Sequence, residues 1–212
     1  MRAWIFAEIF EVILAPLRQL DRRLAGVRPL AVYVVGFVPA IWLLFLAFSG
    51  SLGPEPARAL EQSLGLWALR FLVLVLSVSP LRRIFSINLL RLRRAFGLLA
   101  FYYAALHLTA YVLFDHALNW SEIVTDIIKR PYVLIGMVAF CLMIPLAATS
   151  NNRAIVFLGG NNWARLHRLT YIVAAAAALH FALIVKTWSA DPFVYVTATF
   201  GLLALRLRAP RG

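Results

Sequence analysis

The apolar residues of this chain gather into six runs, near Leu30–Ser49, Leu64–Ser79, Phe96–Phe114, Tyr132–Thr149, Leu166–Val185 and Phe193–Leu207. Short segments rich in arginine or in acids separate them. A helix needs roughly 20 mostly apolar residues to cross the hydrocarbon core of a bilayer, and the runs match that requirement. The second and sixth are short, which implies little tilt or a locally thin membrane. The pattern predicts an all-α polytopic membrane protein, with a six-transmembrane-helix bundle over residues 29–208 and a separate cytoplasmic or interfacial segment at 1–28. Met1 to Leu14 carries Glu8 and Glu11 among apolar residues such as Trp4, Phe6 and Phe10, and no small-residue cleavage site follows. That combination argues against a cleavable signal peptide and for an amphipathic interfacial helix running to about Arg23.

Composition strengthens the membrane reading. The chain of 212 residues is 63% hydrophobic and only 14% charged, with a mean hydropathy of +0.83. A net charge of +12 would suit a nucleic-acid partner, but the arginines stand almost entirely at the ends of apolar runs, where the positive-inside rule puts them. The loop between the second and third runs holds Arg82, Arg83, Arg91, Arg93 and Arg94 with no acid. Arg153 and Arg165 follow the fourth run; Arg206, Arg208 and Arg211 lie at the end, and Arg18, Arg22, Arg23 and Arg28 precede the first. The alternate segments are acidic or near neutral, with Glu55, Arg58 and Glu61, then Asp115, Glu122, Asp126, Lys129 and Arg130, then Asp191. Both termini are therefore expected in the cytoplasm, and nucleic acid is excluded as a partner. The lone Cys141 lies inside an apolar run and is read as packing. No Gly-rich dinucleotide fingerprint or phosphate loop is present, so an NAD(P)H-using flavoprotein would be another chain.

Ionisable residues at membrane depth are costly and mark function. His107, within Phe101-Tyr-Tyr-Ala-Ala-Leu-His, and His180, within Ala174-Ala-Ala-Ala-Ala-Leu-His, each stand about six or seven residues from the periplasmic end of their runs. At about 1.5 Å per residue their depths nearly match. Two neutral imidazoles at one depth on separate helices suit the axial positions of a haem iron. Small residues before them (Gly97, Ala100 and Ala104; Ala176 and Ala177) would leave room for a flat macrocycle, although they also favour helix packing. His167 lies 13 residues before His180, a rise of roughly 20 Å, with the two rings about 140° apart on a regular helix. A matching partner on the third run would fall at Arg93 or Arg94, which are not haem ligands. That site is left as a haem with an unusual second ligand, a flavin or quinone site, or an interfacial histidine without a cofactor. Arg70, early in the second run, suits a carboxylate such as a haem propionate, or snorkels to the interface. His116, beside Asp115, reads as a solvated loop histidine. Trp163, Tyr171 and Trp188 read as interfacial belt residues, with flavin or quinone stacking a lesser role for Trp163.

The stretches Gly65-Leu-Trp-Ala-Leu-Arg-Phe, Ser79-Pro-Leu-Arg-Arg, Arg93-Arg-Ala-Phe-Gly-Leu-Leu-Ala-Phe-Tyr-Tyr-Ala-Ala-Leu-His, Lys129-Arg-Pro-Tyr and Trp163-Ala-Arg-Leu-His-Arg-Leu-Thr-Tyr form an ordered set. Together they resemble the haem-binding membrane subunits of bacterial periplasmic protein-methionine-sulfoxide reductase systems, within the ferric-reductase-like transmembrane group. The resemblance runs from about Pro29 to the last span. It departs mildly: Ser79 stands where threonine is commoner, and His116 lies outside the pattern.

The resemblance implies an electron-transfer subunit of an oxidoreductase complex rather than the substrate-reducing enzyme. Such a subunit takes electrons from the quinone pool or a cytosolic flavin reductase and passes them across the inner membrane. The acceptor it implies is a periplasmic molybdopterin methionine-sulfoxide reductase catalytic subunit. It also implies haem b, one or two, with His107, His167 and His180 as ligands and Arg70 at the cofactor. FMN and ubiquinone or menaquinone are further cofactors it brings in. The rival readings are a quinol- or flavin-linked ferric or metal reductase of the same fold, and a small transporter whose histidines relay protons. Proton relays usually include carboxylates, and no acid lies well inside any run.

Overall fold

A computed structural model describes residues 19, 21–184 and 190–207. The N-terminal segment expected to lie in the interface falls mostly outside these residues, as does Trp188. Among the described residues the chain is all helical, with α1 at Pro29–Phe48, α2 at Pro56–Phe85, α3 at Arg93–Ala110 and α4 at Trp120–Lys129. These are followed by α5 at Pro131–Ala148, the short α6 at Asn152–Leu158 and α7 at Gly160–Leu166, α8 at Leu169–Ile184 and α9 at Ala190–Leu207. Five stretches are long and apolar enough to cross a membrane: α1, α2, Arg93–Asp115, α5 and Gly160–Ile184. The sixth expected span corresponds to α9, whose described apolar part, Phe193–Arg206, is shorter.

Local chemistry sets most of the boundaries. Pro29, Pro56 and Pro131 each open a helix, where the missing N–H costs nothing. Asn119 caps α4 by accepting from the Glu122 N–H, and Asn151 caps α6 by accepting from Ala154. The second span is not short. α2 extends through 30 residues, about 45 Å, because polar turns at both ends continue the helix beyond its apolar centre. After Ala110, α3 relaxes into a π-helical turn, Tyr111–Asp115, and the chain then reverses through Ala117 and Leu118 with positive φ.

The core lies where α2 packs on α3, with α5 paired to α8 beside them. Leu76, Leu99, Tyr103 and Val173 are wholly buried. Helix α1 contributes little to this core, since only 11% of its apolar window is buried. Val35, Ile41, Phe45 and Phe48 are exposed along it, an apolar surface suited to lipid and not to water. Cys141 is likewise exposed rather than packed. Val32, Phe37 and Leu43 pack partly buried against the core, and a polar contact adds to them. Pro39 interrupts α1, and beside it the Tyr103 hydroxyl donates to the Gly36 carbonyl at 2.7 Å and accepts from the Ala40 N–H at 2.9 Å. A side chain from α3 thus bonds both members of an i→i−4 pair of α1, next to the Val35 carbonyl that Pro39 leaves without its usual N–H. On the arginine-rich face, Arg91 donates to the carbonyls of Ala25 and Val27, and Asp21 accepts from the Asn88 N–H. These bonds hold the residues before α1 against the α2–α3 loop.

Candidate functional site

Two of the three histidines meet. His107 of α3 and His180 of α8 have ring centroids 6.2 Å apart, with their planes at 75°. The matched depth read from the sequence is thus a direct approach of the two rings. Each ring is held by the same device. His107 tucks against α2 at Gly65, where a Cβ would stand only 3.0 Å from its Nδ1. That Nδ1 lies 2.9 Å from the Glu61 carbonyl, one helical turn before the glycine. His180 tucks against α5 at Gly136, where a Cβ would stand 2.7 Å from its Cε1. Its Nδ1 lies 2.6 Å from the Tyr132 carbonyl, again one turn before the glycine.

A backbone carbonyl can only accept, so Nδ1 carries the proton in both rings and donates it. Nε2 is left in each ring as an unprotonated lone pair. An imidazole anchored in this way is the form that metal-binding histidines take. Two imidazoles on opposite sides of one metal, at about 2 Å per metal–nitrogen bond, set their ring centres roughly 6–6.5 Å apart. The observed separation fits a bis-imidazole ion, which is the axial arrangement of a haem iron.

Neither glycine's role was evident from the sequence. Gly65 stood only as the first residue of a motif, and Gly136 drew no attention. The available signal was a glycine inside an apolar run, where it weakens a helix unless something approaches closely. Conversely, the small residues expected to make room for a macrocycle serve packing. Ala100 is wholly buried, Ala104 packs on the core, and a Cβ at Gly97 would meet only Val75, at 3.9 Å. Ala176 lines a groove along α8, one turn before His180, and Ala177 packs on the core.

Arg70 is not near the start of its helix. It is the fifteenth of the thirty residues of α2, because that helix begins well before its apolar run. Its Nε donates to the Tyr195 hydroxyl at 2.8 Å, tying α2 to α9, and its guanidinium lies 4.7 Å from the Trp67 ring centroid. A partner inside the bundle thus takes one of its donors, in place of the snorkelling that stood as the alternative to a carboxylate.

His167 stands at the break between α7 and α8, as the residue after the last of α7. The helix is therefore interrupted there, which removes the angular relation that a regular helix would impose on His167 and His180. The His167 ring stacks on Trp163 at 4.0 Å, and its Nε2 is 3.1 Å from the Thr149 hydroxyl. The Trp163 indole N–H donates to the Thr149 carbonyl at 2.9 Å. Trp163 is thus engaged by α5 rather than free at an interface. Tyr171 is also more than a belt residue, since its hydroxyl accepts from Arg206 at 3.3 Å.

His116 is not solvated. Its side chain is 9% exposed and meets the Tyr111 ring edge-on at 4.6 Å. Its Nε2 is 3.6 Å from Asp126, which also accepts from the Tyr111 hydroxyl at 3.0 Å and from Arg130 at 2.8 Å. The reversal after the π-helical turn folds this loop histidine back beneath α4. The network joins the end of α3 to α4, on the acidic face of the bundle.

The fold and the site define an all-helical, multi-pass membrane protein that presents two anchored imidazoles to one another between its helices. Comparison with known proteins specifies it further. The family model described as "Ferric reductase like transmembrane component" matches residues 64–179, which contain His107 and both glycines and end one residue before His180. The "Protein-methionine-sulfoxide reductase heme-binding subunit MsrQ" of Brucella ovis is 51% identical over 178 residues, covering 84% of this chain and 80% of the relative. The proteins of the same name from Brucella canis and Brucella suis match to the same extent. No solved structure matches. The chain belongs to the ferric-reductase-like transmembrane family.

Proposed function

We propose that this chain is the haem-carrying membrane subunit of a protein-methionine-sulfoxide reductase system, with His107 and His180 as the axial ligands of a b-type haem. One observation carries the reading: two imidazole rings 6.2 Å apart, each with Nδ1 on a backbone carbonyl. The relatives named as haem-binding subunits of that system agree with it. Bound haem, held by His107 and His180, would supply one-electron redox chemistry. The chain's own part is to fix two neutral nitrogens, exclude water with apolar helices, and hold the pair near one face of the membrane. It is an electron-transfer subunit, and substrate reduction belongs to its partner.

The partner in this reading is a periplasmic molybdopterin methionine-sulfoxide reductase, and the donor is the quinone pool or a cytosolic flavin reductase. The site lies toward the acidic face, which the loop charges assign to the periplasm of a bacterial inner membrane. Six spans, with α9 as the sixth and both termini cytoplasmic, follow from the same charges. Residues 29–208 then form the membrane domain, and 1–28 an interfacial segment. Arg70 has guanidinium donors beyond the one given to Tyr195 and would hold a haem carboxylate. His167, stacked on Trp163, is the place for a second cofactor, either a second haem or FMN.

The test is a reduced-minus-oxidised visible spectrum of the purified protein. A b-type α band is expected, and His107→Ala and His180→Ala should each remove the acidic-side haem. A folded protein purified without any such band would refute the proposal.

A further inference from the structure

On the arginine-rich face two arginines are half-buried, and no acid among the described residues pairs with either. Arg22, Arg23, Arg28, Arg82, Arg83, Arg91, Arg94, Arg153, Arg165 and Arg168 are all exposed there, whereas Arg93 and Arg206 are withdrawn from solvent. Arg206 bonds to the Val75 carbonyl, and Gly97, one turn beyond Arg93, lies against Val75, so both arginines stand against the same stretch of α2. Among the described residues of this face the only acid is Asp21, which is occupied by the Asn88 N–H. Arg206 spends its donors on the Val75 and Leu76 carbonyls and the Tyr171 hydroxyl. The Arg93 guanidinium has no hydrogen-bond partner among the described residues, its backbone N–H alone donating, to the Leu90 carbonyl. Removing a cation from water without pairing it is costly, and two together cost more. Moreover, Arg93 and Arg94 occupy the first turn of α3, whose N-terminus has no capping side chain and carries positive dipole charge that disfavours cations.

A groove leads away from this pair. It has a volume of about 450 Å³ and is lined by Ile135 of α5, by Tyr171, Ala175 and Leu179 of α8, and by Phe200 and Arg206 of α9. Apart from Tyr171 and Arg206 its walls are apolar. Tyr171 and Arg206 lie at the arginine-rich end, and Leu179 lies roughly 12 Å deeper along α8. A cationic mouth above an apolar slot open between membrane helices has the shape of a lipid site, with phosphate at the top and an acyl chain below.

We propose that this groove binds one anionic phospholipid, with its headgroup phosphate between Arg93 and Arg206 and an acyl chain along α8 and α9. The bound phosphate supplies negative charge that no described residue of this face offers the pair, and the lipid fastens α9 to α8 and α5. Nothing in this inference depends on the histidine pair.

The experiment is native mass spectrometry of the purified full chain after exchange into phosphatidylglycerol, phosphatidylcholine or a mixture of the two. One phosphatidylglycerol per chain should be retained in preference to phosphatidylcholine. Arg93→Gln should lower that retention about fivefold, the worth of one arginine near a lipid phosphate, and Arg93→Lys should largely keep it. Ala175→Trp, which fills the slot and leaves every charge in place, should reduce phosphatidylglycerol to the phosphatidylcholine level. Because Arg206 also holds α2, Arg93 and Ala175 carry the test. Equal retention of the two lipids, or an unchanged Arg93→Gln variant, would overturn the proposal. So would inorganic phosphate matching phosphatidylglycerol in raising the Tm, or ubiquinone displacing the bound lipid.

Discussion

Gly136→Ala tests the histidine pair without touching a histidine. The added Cβ would stand 2.7 Å from Cε1 and 2.8 Å from Nδ1 of His180. Ordinary contact between such atoms begins near 3.5 Å, so the ring must withdraw by about 0.8 Å. It cannot do so while keeping its 2.6 Å bond to the Tyr132 carbonyl, because that carbonyl and the new methyl stand on the same helix one turn apart. A metal–nitrogen bond tolerates only about 0.2 Å. The displacement is therefore about four times what the ligand bond allows, and loss of an anchoring contact typically costs 10–100-fold in metal affinity. Gly65→Ala is milder, with its closest approach of 3.0 Å to His107 Nδ1 requiring about half that shift. Gly97→Ala meets only Val75 at 3.9 Å and serves as the control; alanine there improves helix propensity by up to about 1 kcal/mol. The assay is haem per polypeptide by pyridine haemochrome, with the position of the α band. Haem loss should follow the order Gly136→Ala, then Gly65→Ala, with Gly97→Ala unaffected. Full haem and an unshifted band in a folded Gly136→Ala protein would refute the reasoning, as would equal loss in Gly97→Ala.

The remaining predictions concern groups whose roles are structural. Tyr103→Phe removes the bonds from the hydroxyl to the Ala40 N–H and the Gly36 carbonyl, which are left only to each other, and should cost about 1–2 kcal/mol, read as a fall in Tm in detergent. A change below about 0.5 kcal/mol would mean that the Tyr103 hydroxyl does not help to fasten α1 to the core. His116→Ala should leave the haem spectrum unchanged and lower stability by about 1–2 kcal/mol, through the ring lost from between Tyr111 and Asp126. Disappearance of the acidic-side haem in that variant would mean that the ligands are assigned wrongly.

Much of this architecture was legible because a bilayer makes sequence and depth nearly the same variable. An apolar run fixes where a residue sits along the membrane normal, so the equal depth of His107 and His180 could be read by counting. What counting does not give is azimuth, the side of a helix that a residue faces and what it meets there. His116 illustrates the limit, since its neighbours Asp115 and Ala117 announce a loop. Only the π-helical turn and the two positive-φ residues that follow send its ring inward under α4. The anchoring of the ligands was hidden for a related reason. The groups that receive Nδ1 are backbone carbonyls, which every residue has, and the permissive feature is the absence of a side chain one turn away on another helix.

Tyr103 and Pro39 show the same logic at a site without cofactor chemistry. Read locally, Pro39 weakens α1, and a tyrosine in an apolar run brings a hydroxyl that must find a partner. Either residue alone breaks a rule of membrane helices, in which every polar group must be satisfied. Placed against one another, with 0% of Tyr103 exposed, they bring the hydroxyl onto the Gly36 carbonyl and the Ala40 N–H, beside the Val35 carbonyl that Pro39 leaves without its usual N–H. Helix α1 otherwise docks through apolar contacts such as Phe37 on Tyr102 and Tyr103, so this polar contact adds a register that apolar packing in lipid would not fix by itself.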